Sequence, residues 1–168
     1  MMELYLLRHG EAGKRVPAGG RDSDRPLTVM GQEEVKQVAV ALSELGVDLD
    51  LVTTSPLKRA LQTAQIVCKV LKIKKGSVEE WQELRPEGNR AALFRKLGQF
   101  KLESSVLIVG HEPYLSNMAS EIIFGSSSAA IVLKKAGVAK IGITSFLPKP
   151  RGELRWLLTP RQMKKLAK

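Results

Sequence analysis

Short apolar segments alternate with amphipathic helical patterns along most of this chain, and this alternation restricts the fold class. The segments with the pattern of strands are residues 3–8, 50–54, 77–81, 105–109, 129–134, 139–146 and 153–158. One helix is predicted from the N-cap Thr28 to Gly46, and the others from Ser55-Pro56, over 90–97, over 113–124 and over 161–168. Because strands that alternate with helices form mainly parallel sheets covered on both faces, the sequence predicts a three-layer α/β/α fold.

The length and composition indicate one domain over residues 1–168. The chain is 43% hydrophobic and 26% charged, as is ordinary for a globular domain. No apolar run approaches the roughly 18 residues of a membrane-spanning helix, and the N-terminus lacks the pattern of a secretory signal. Cys68 is the single cysteine, which excludes an internal disulfide and a cysteine-ligated zinc site. We therefore expect a cytoplasmic protein that does not associate with membranes.

The net charge of +10 favours an anionic partner. Many of the basic residues occur as scattered pairs, only 5% of the residues are aromatic, and no basic stretch alternates with aromatic residues. A nucleic-acid-binding face would show such clustering. An acidic or phosphorylated substrate therefore explains the charge better than nucleic acid does.

Both histidines of the chain directly follow apolar strands. His9 follows the segment LYLLR, and His111 follows VLIVG. In open parallel sheets, ligands bind outside the carboxyl ends of the strands, so neighbouring strands would bring the two imidazoles together at one edge. The alternative interpretation of each histidine is a solvated turn.

The segment TTSPLKRALQTA predicts a helix whose N-cap is Ser55 and whose first position is Pro56. Its first turn carries Lys58 and Arg59 and no acid, which costs about 0.3–1 kcal/mol per residue at the positive end of a helix dipole. If an anion is bound there, the same basic residues stabilise the helix start instead of destabilising it. The pair is either a solvated surface feature or part of an anion site.

A long loop is predicted over residues 11–26, which are rich in glycine, proline and basic residues and have no apolar period. Connections of this length are often functional. Arg15, Arg21 and Arg25 lie in this loop. They either guide an acidic partner or only increase solubility, and we take Arg25 as a candidate substrate-binding residue.

Four motifs of this chain resemble those of the histidine phosphatase superfamily: RHG at 8–10, PLTVMG at 26–31, SPLKRALQTA at 55–64 and GHEP at 110–113. They occur in the family's order, and with the strand–helix pattern they cover nearly the whole chain. The superfamily includes phosphoglycerate mutases and acid phosphatases. About two dozen residues separate the strand near Trp81 from the strand at Ser105, which leaves no room for a substantial cap domain. With the SDRPLT and ELRPEG segments, this small size is similar to the SixA-type phosphohistidine phosphatases.

The resemblance implies that His9 is the nucleophile, which takes the phosphoryl group and passes it to water. Arg8, Arg59 and His111 would bind and stabilise the phosphoryl oxygens, and no metal or other cofactor is expected. The two arginines also disfavour protonation of His9, which must be neutral to attack. Glu83 is the best candidate for a general acid, although it can equally be a surface residue, and Glu80 and Glu87 lie close by.

The expected substrate is phosphohistidine on a protein, such as a phosphotransfer domain in signal transduction. An uncapped site would admit a side chain that is carried on a folded surface. One alternative is a small-molecule phosphomonoesterase of the same superfamily. The other is a non-catalytic protein that binds phosphoprotein or nucleic acid at the same basic edge.

Overall fold

A computed structural model of the chain describes residues 1–14, 19–74, 77–128 and 130–167. Within these ranges one sheet is formed by β1 (Met2–Arg8), β2 (Leu51–Thr54), β3 (Val78–Glu80), β4 (Ser105–Gly110), β5 (Val138–Ser145) and β6 (Arg151–Leu158). The strand order is β3-β2-β4-β1-β5-β6. The pairs β1–β4, β2–β4 and β2–β3 are parallel, whereas β5 and β6 join the sheet antiparallel. The sheet is therefore mixed and mainly parallel.

Helices cover both faces of this sheet. Their bounds are α1 (Val29–Glu44), α2 (Lys58–Val70), α3 (Arg90–Leu97), α4 (Tyr114–Phe124) and α5 (Pro160–Leu166). The residues of α1, α2 and α5 share one apolar cluster with Tyr5 and Leu7 of β1. Those of α3 and α4 share the other with Leu4 and Leu6. Since alternate residues of a strand face opposite sides, β1 is buried on both faces, and the predicted three-layer α/β/α fold is confirmed.

The prediction of a strand over 129–134 is wrong for the part that the structure describes. Residues 130–134 run as irregular chain, and residue 129 lies outside the described ranges. Leu133 is buried, but its carbonyl accepts a hydrogen bond from Arg8 Nη1 at 2.9 Å. Both edges of β1 are already paired, with β4 and β5, so this segment has no place beside β1.

The start of α2 also differs from the prediction. The helix begins at Lys58 with Leu57 as its N-cap, so Ser55 is not the capping residue. The Ser55 hydroxyl still accepts a hydrogen bond from Leu57 N at 3.3 Å, but its shorter contact, of 2.7 Å, joins it to His111 Nε2. The hydroxyl therefore contacts a histidine at the sheet edge as well as the backbone that leads into the helix.

The connection between β3 and β4 contains only a short 3₁₀ turn, Gln82–Leu84, and α3. The structure thus has no separate cap domain within the described ranges, as predicted from the short spacing. None of the helices in these ranges has the length and apolar character needed to span a membrane. The carboxyl edge of the parallel strands remains uncapped.

Candidate active site

The two histidines lie side by side at the carboxyl ends of two neighbouring strands. Arg8 of β1 is in register with Gly110 of β4, and the backbone N–H of His9 donates to Gly110 O at 3.0 Å. The centroids of the His9 and His111 rings are 5.1 Å apart. The structure therefore brings the two imidazoles together, as the strand pattern predicts.

The hydrogen bonds of the His9 ring define its tautomer. Its Nδ1 lies 2.7 Å from Gly10 O, which can only accept a hydrogen bond, so Nδ1 carries the proton. Its Nε2 accepts a hydrogen bond from Arg59 Nε at 3.3 Å, so Nε2 is unprotonated and its lone pair is the one that can attack an electrophile. The His111 ring binds the Ser55 hydroxyl through Nε2, and its buried Nδ1 has no hydrogen-bond partner in the described part of the chain.

Arg59 is held beside His9 by its position in the first turn of α2. Its side chain is almost completely buried, and its Nη1 donates to Asp22 O at 2.9 Å. The Thr63 hydroxyl, one turn later, donates to Arg59 O at 2.7 Å and accepts from Gly10 N at 3.2 Å. Gln62 Oε1 accepts from Leu27 N at 2.8 Å. The motif SPLKRALQTA therefore joins α2 to the loop that follows β1.

Two glycines allow the RHG and PLTVMG motifs to pack against each other. A Cβ at Gly10 would lie 2.6 Å from Val35 Cγ2, and a Cβ at Gly31 would collide with the carbonyl of Glu11. Thr28 caps α1 by accepting from Gly31 N at 2.9 Å, as predicted, and its own N–H donates to Glu11 O at 2.9 Å. This close packing positions the backbone that carries His9.

Two further arginines contribute positive charge at this edge. Arg25 Nε donates to Asp22 Oδ1 at 2.8 Å, and its Nη1 donates to Gly13 O at 3.2 Å. Arg8 Nε is buried and has no hydrogen-bond partner within the described ranges. Of the other loop arginines, Arg21 is exposed and Arg15 lies outside the described residues.

Glu83 is not brought into contact with the histidine pair. Its carboxylate lies 3.3 Å from Lys96 Nζ on α3, and its backbone carbonyl accepts from the Tyr114 hydroxyl at 2.6 Å. In the described part of the chain, no hydrogen bond or ion pair joins this carboxylate to His9, Arg59 or His111. Its role as a general acid stays a prediction.

Burial keeps both imidazoles neutral. It lowers the pKa of His9 to about 4, and the positive charges of Arg59 and Arg8 add to this, while the hydrogen bond to Gly10 O opposes it. Burial also lowers the pKa of His111 to about 3, and electrostatic interactions with the neighbouring His9 and with Arg59 lower it further. A neutral Nε2 beside three arginines suits nucleophilic attack on an anionic phosphoryl group.

We expect both histidines to stay neutral in solution from about pH 8 down to about pH 5.5, where a free imidazole with a pKa of about 6.5 would already be charged. Histidine Cε1–H signals followed by NMR during a pH titration measure this, and His9→Ala assigns the two signals. The unfolded chain binds protons that the folded site does not bind, so Tm should fall as the pH decreases from about 6.5 towards 4. A titration midpoint near 6.5 for either ring would contradict the burial argument.

Several residues of the site were not assigned from the sequence. The hydroxyls of Ser55 and Thr63 lie in a motif that was recognised, but their partners become clear only when β4 and the His9 loop are in place. Asp22 binds two of the arginines, and the only local signal for it is an acid between basic residues. No group of three or more His, Cys, Asp or Glu residues suited to a metal ion occurs within the described ranges, and a metal-independent reaction stays a prediction.

Comparison with known proteins gives matches over nearly the whole chain. The family model described as histidine phosphatase superfamily (branch 1) matches residues 4–88. An uncharacterized protein of Picosynechococcus sp. is 38% identical over 146 residues, which are 86% of each chain. Phosphohistidine phosphatase SixA of Escherichia coli K12 is 28% identical over 173 residues, 97% of each chain. The solved structure of the protein histidine phosphatase SixA complexed with tungstate has a TM-score of 0.81 at 27% identity and covers 97% of this chain and 100% of that one.

Proposed function

We propose that this chain, which belongs to the histidine phosphatase superfamily, removes the phosphoryl group from a phosphohistidine side chain of another protein. Family membership and the likeness to SixA support a phosphatase. The observation that carries the proposal is the His9 ring, whose unprotonated Nε2 faces Arg59 Nε at 3.3 Å on an uncapped edge of the sheet.

In the first step of the proposed reaction, His9 Nε2 attacks phosphorus, and the bond between phosphorus and the substrate's imidazole nitrogen breaks. The leaving imidazole keeps the electron pair and takes a proton from solvent. Arg8, Arg25 and Arg59 offset the negative charge of the phosphoryl oxygens, which is the main requirement of phosphoryl transfer. Attack makes the His9 ring positive, and its Nδ1–H bond to Gly10 O favours that charged form.

In the second step, water attacks phospho-His9, the bond between phosphorus and Nε2 breaks, and inorganic phosphate leaves with both protons of the water. Neutral His9 is regenerated with its proton on Nδ1. The tungstate in complex with SixA is a tetrahedral oxyanion like phosphate, and this likeness supports an anion site of the same kind here. The buried Nδ1 of His111 has no partner in the described part of the chain, so it is available to a phosphoryl oxygen.

Two features favour a phosphohistidine over an ester substrate. Imidazole is a better leaving group than an alkoxide and needs less protonation, and the predicted general acid, Glu83, forms its ion pair with Lys96 and not with a residue of the site. The uncapped edge also admits a side chain that is presented by a folded partner.

The charge around the site favours an acidic protein partner. A groove of about 530 Å³ lies next to Arg8, and Lys134, Lys135 and Arg161 line it. These three side chains are exposed, and Glu34 is the acid among the lining residues. A protein bound over His9 would cover about 800 Å² of this surface and so reach the groove. We propose a phosphotransfer domain as the partner, which would place the enzyme in signal transduction.

The decisive experiment compares turnover of a phosphohistidine peptide, a phosphoserine peptide and a sugar phosphate by the wild-type chain. We expect the phosphohistidine peptide to have the highest kcat/KM. A higher kcat/KM for the sugar phosphate would instead identify a small-molecule phosphomonoesterase. Binding of all three without turnover would identify a non-catalytic phosphate-binding protein.

Glu83→Gln separates the two substrate classes. The change keeps the shape of the side chain but removes the transferable proton that an alkoxide leaving group requires. We expect a small change in phosphohistidine turnover and a much larger loss of any residual ester hydrolysis, both measured as kcat/KM. Glu80→Gln, which changes an exposed acid at the end of β3, is the matched control. A large loss on both substrates would mean that a general acid acts throughout, and no loss on either would make Glu83 a surface residue.

A further inference from the structure

Asp22 lies between Arg59 and Arg25, two of the three arginines that are predicted to bind phosphate. We infer that its carboxylate occupies Arg59 and Arg25 when the site is empty, competes with the phosphoryl group, and thereby sets the affinity for anions. The inference rests on the proposed function for the identity of the anion. It makes Asp22 a residue that opposes anion binding at the site.

The geometry that carries this inference is a carboxylate bridging two guanidinium groups. Asp22 Oδ2 lies 3.1 Å from Arg59 Nη2, and Asp22 Oδ1 lies 2.8 Å from Arg25 Nε. The backbone carbonyl of Asp22 accepts from Arg59 Nη1 at 2.9 Å. Phosphate oxygens bind arginines through charge-assisted hydrogen bonds of the same kind, from guanidinium N–H groups to an anionic oxygen.

A phosphoryl group on His9 Nε2 would meet this arrangement directly, because Arg59 Nε already contacts that nitrogen. The phosphoryl oxygens then either replace the Asp22 carboxylate on Arg59 or bind beside it. In the first case the contact between the Asp22 carboxylate and Arg59 must break, and in the second two negative charges lie close together. Both cases lower the affinity for phosphate, so the sign of the effect does not depend on which occurs.

The burial of Arg59 explains why an acid is present here. The Arg59 side chain is only 5% exposed, whereas that of Asp22 is 46% exposed. A buried charge without a partner is strongly destabilising. Burial lowers the pKa of Arg59, and the negative charge of Asp22 opposes that shift. Asp22 therefore stabilises the empty site, and it can return to water when phosphate takes over Arg59.

A purely positioning role for Asp22 predicts the opposite result. If the carboxylate only held Arg59 in its productive orientation, its removal would weaken phosphate binding and slow turnover together. If the carboxylate competes with phosphate, its removal should tighten phosphate binding and lower the stability of the protein without phosphate. The two roles therefore differ in the direction of the change in Kd.

The test compares Asp22→Asn with Asp24→Asn, which removes the same charge from the same short 3₁₀ turn, Asp22–Asp24. The Asp24 carboxylate accepts only from the Ser23 hydroxyl, at 3.4 Å, and does not contact Arg59 in the described ranges. Calorimetric titration at low salt measures Kd for inorganic phosphate. We expect Asp22→Asn to lower Kd roughly 3- to 10-fold more than Asp24→Asn does, as for loss of one charge at several ångströms. Its Tm should be below that of wild type without phosphate and approach it at saturating phosphate.

An equal or higher Kd for Asp22→Asn than for Asp24→Asn would overturn the inference while leaving the proposed function intact. The same holds if phosphate does not restore its Tm. Asp22→Ala is a second variant that removes the carboxylate, and it should shift Kd in the same direction. Wild-type protein that neither binds phosphate nor hydrolyses phosphohistidine would instead remove the proposed function, and the inference with it.

Discussion

Replacement of His9 by alanine is expected to abolish phosphatase turnover and to leave the fold intact. The variant lacks the Nε2 atom that attacks phosphorus, and within the described ranges the other histidine, His111, accepts no hydrogen bond from Arg59. The fold should survive because the His9 side chain lies at the end of β1, outside both apolar clusters. Turnover of a phosphohistidine peptide and the circular dichroism spectrum measure the two expectations.

The covalent intermediate provides an independent readout of the same variant. Wild-type protein that is denatured during turnover should carry phosphate that is stable in base and labile in acid, as expected of phosphohistidine. His9→Ala should carry none. Equal turnover by the variant would end the assignment of His9 as the nucleophile, and acid-stable phosphate on the wild type would point to a different attacking group.

The second large effect is expected at Arg59. Its guanidinium is buried beside His9, whereas the neighbouring Lys58 is exposed. By analogy with the loss of one donor to a transition state, Arg59→Ala should lower kcat by about 10² to 10³-fold. Lys58→Ala is the matched control, because it removes a positive charge from the same helical turn, and it should retain nearly the full rate.

Equal losses in the two variants would mean that Arg59 contributes only to a diffuse basic surface. The fold of Arg59→Ala is checked by its Tm, because the change also leaves Asp22 without its main partner. Inorganic phosphate should bind more weakly to Arg59→Ala than to Lys58→Ala, and this comparison does not depend on turnover.

Local patterns predicted much of the fold. The bounds of α3 agree with the prediction over 90–97, and α1 is capped by Thr28 as expected. Both helices have apolar periodicity and a good capping residue, which are local signals, and for these two helices the structure agrees with them. The meeting of His9 and His111 was also predictable, because strand ends of a parallel sheet share one edge.

The remaining features depend on contacts between distant parts of the chain. Residues 130–134 look like a strand by composition, but the sheet has no free edge beside β1, and Leu133 O binds a side chain 125 positions away. Ser55 looks like an N-cap, but its neighbour in space is His111. The low pKa of each histidine arises mainly from burial, and the degree of burial cannot be read from a sequence motif. The contacts of Asp22 with Arg59 were not predictable either, because they form only when the loop that contains Asp22 packs against α2.

The central position of β1 has a consequence for biosynthesis. β1 leaves the ribosome before the other strands of this sheet, yet both strands that pair with it, β4 and β5, come from beyond residue 100. Pairing that joins such distant segments forms slowly, and unpaired apolar strand edges promote aggregation. A nascent chain that ends near residue 88 already contains RHG and SPLKRALQTA, but it exposes both edges of β1. The period before β4 and β5 emerge is therefore the one in which we expect the nascent chain to be most prone to aggregation, and His9 meets His111 only when synthesis has passed β4.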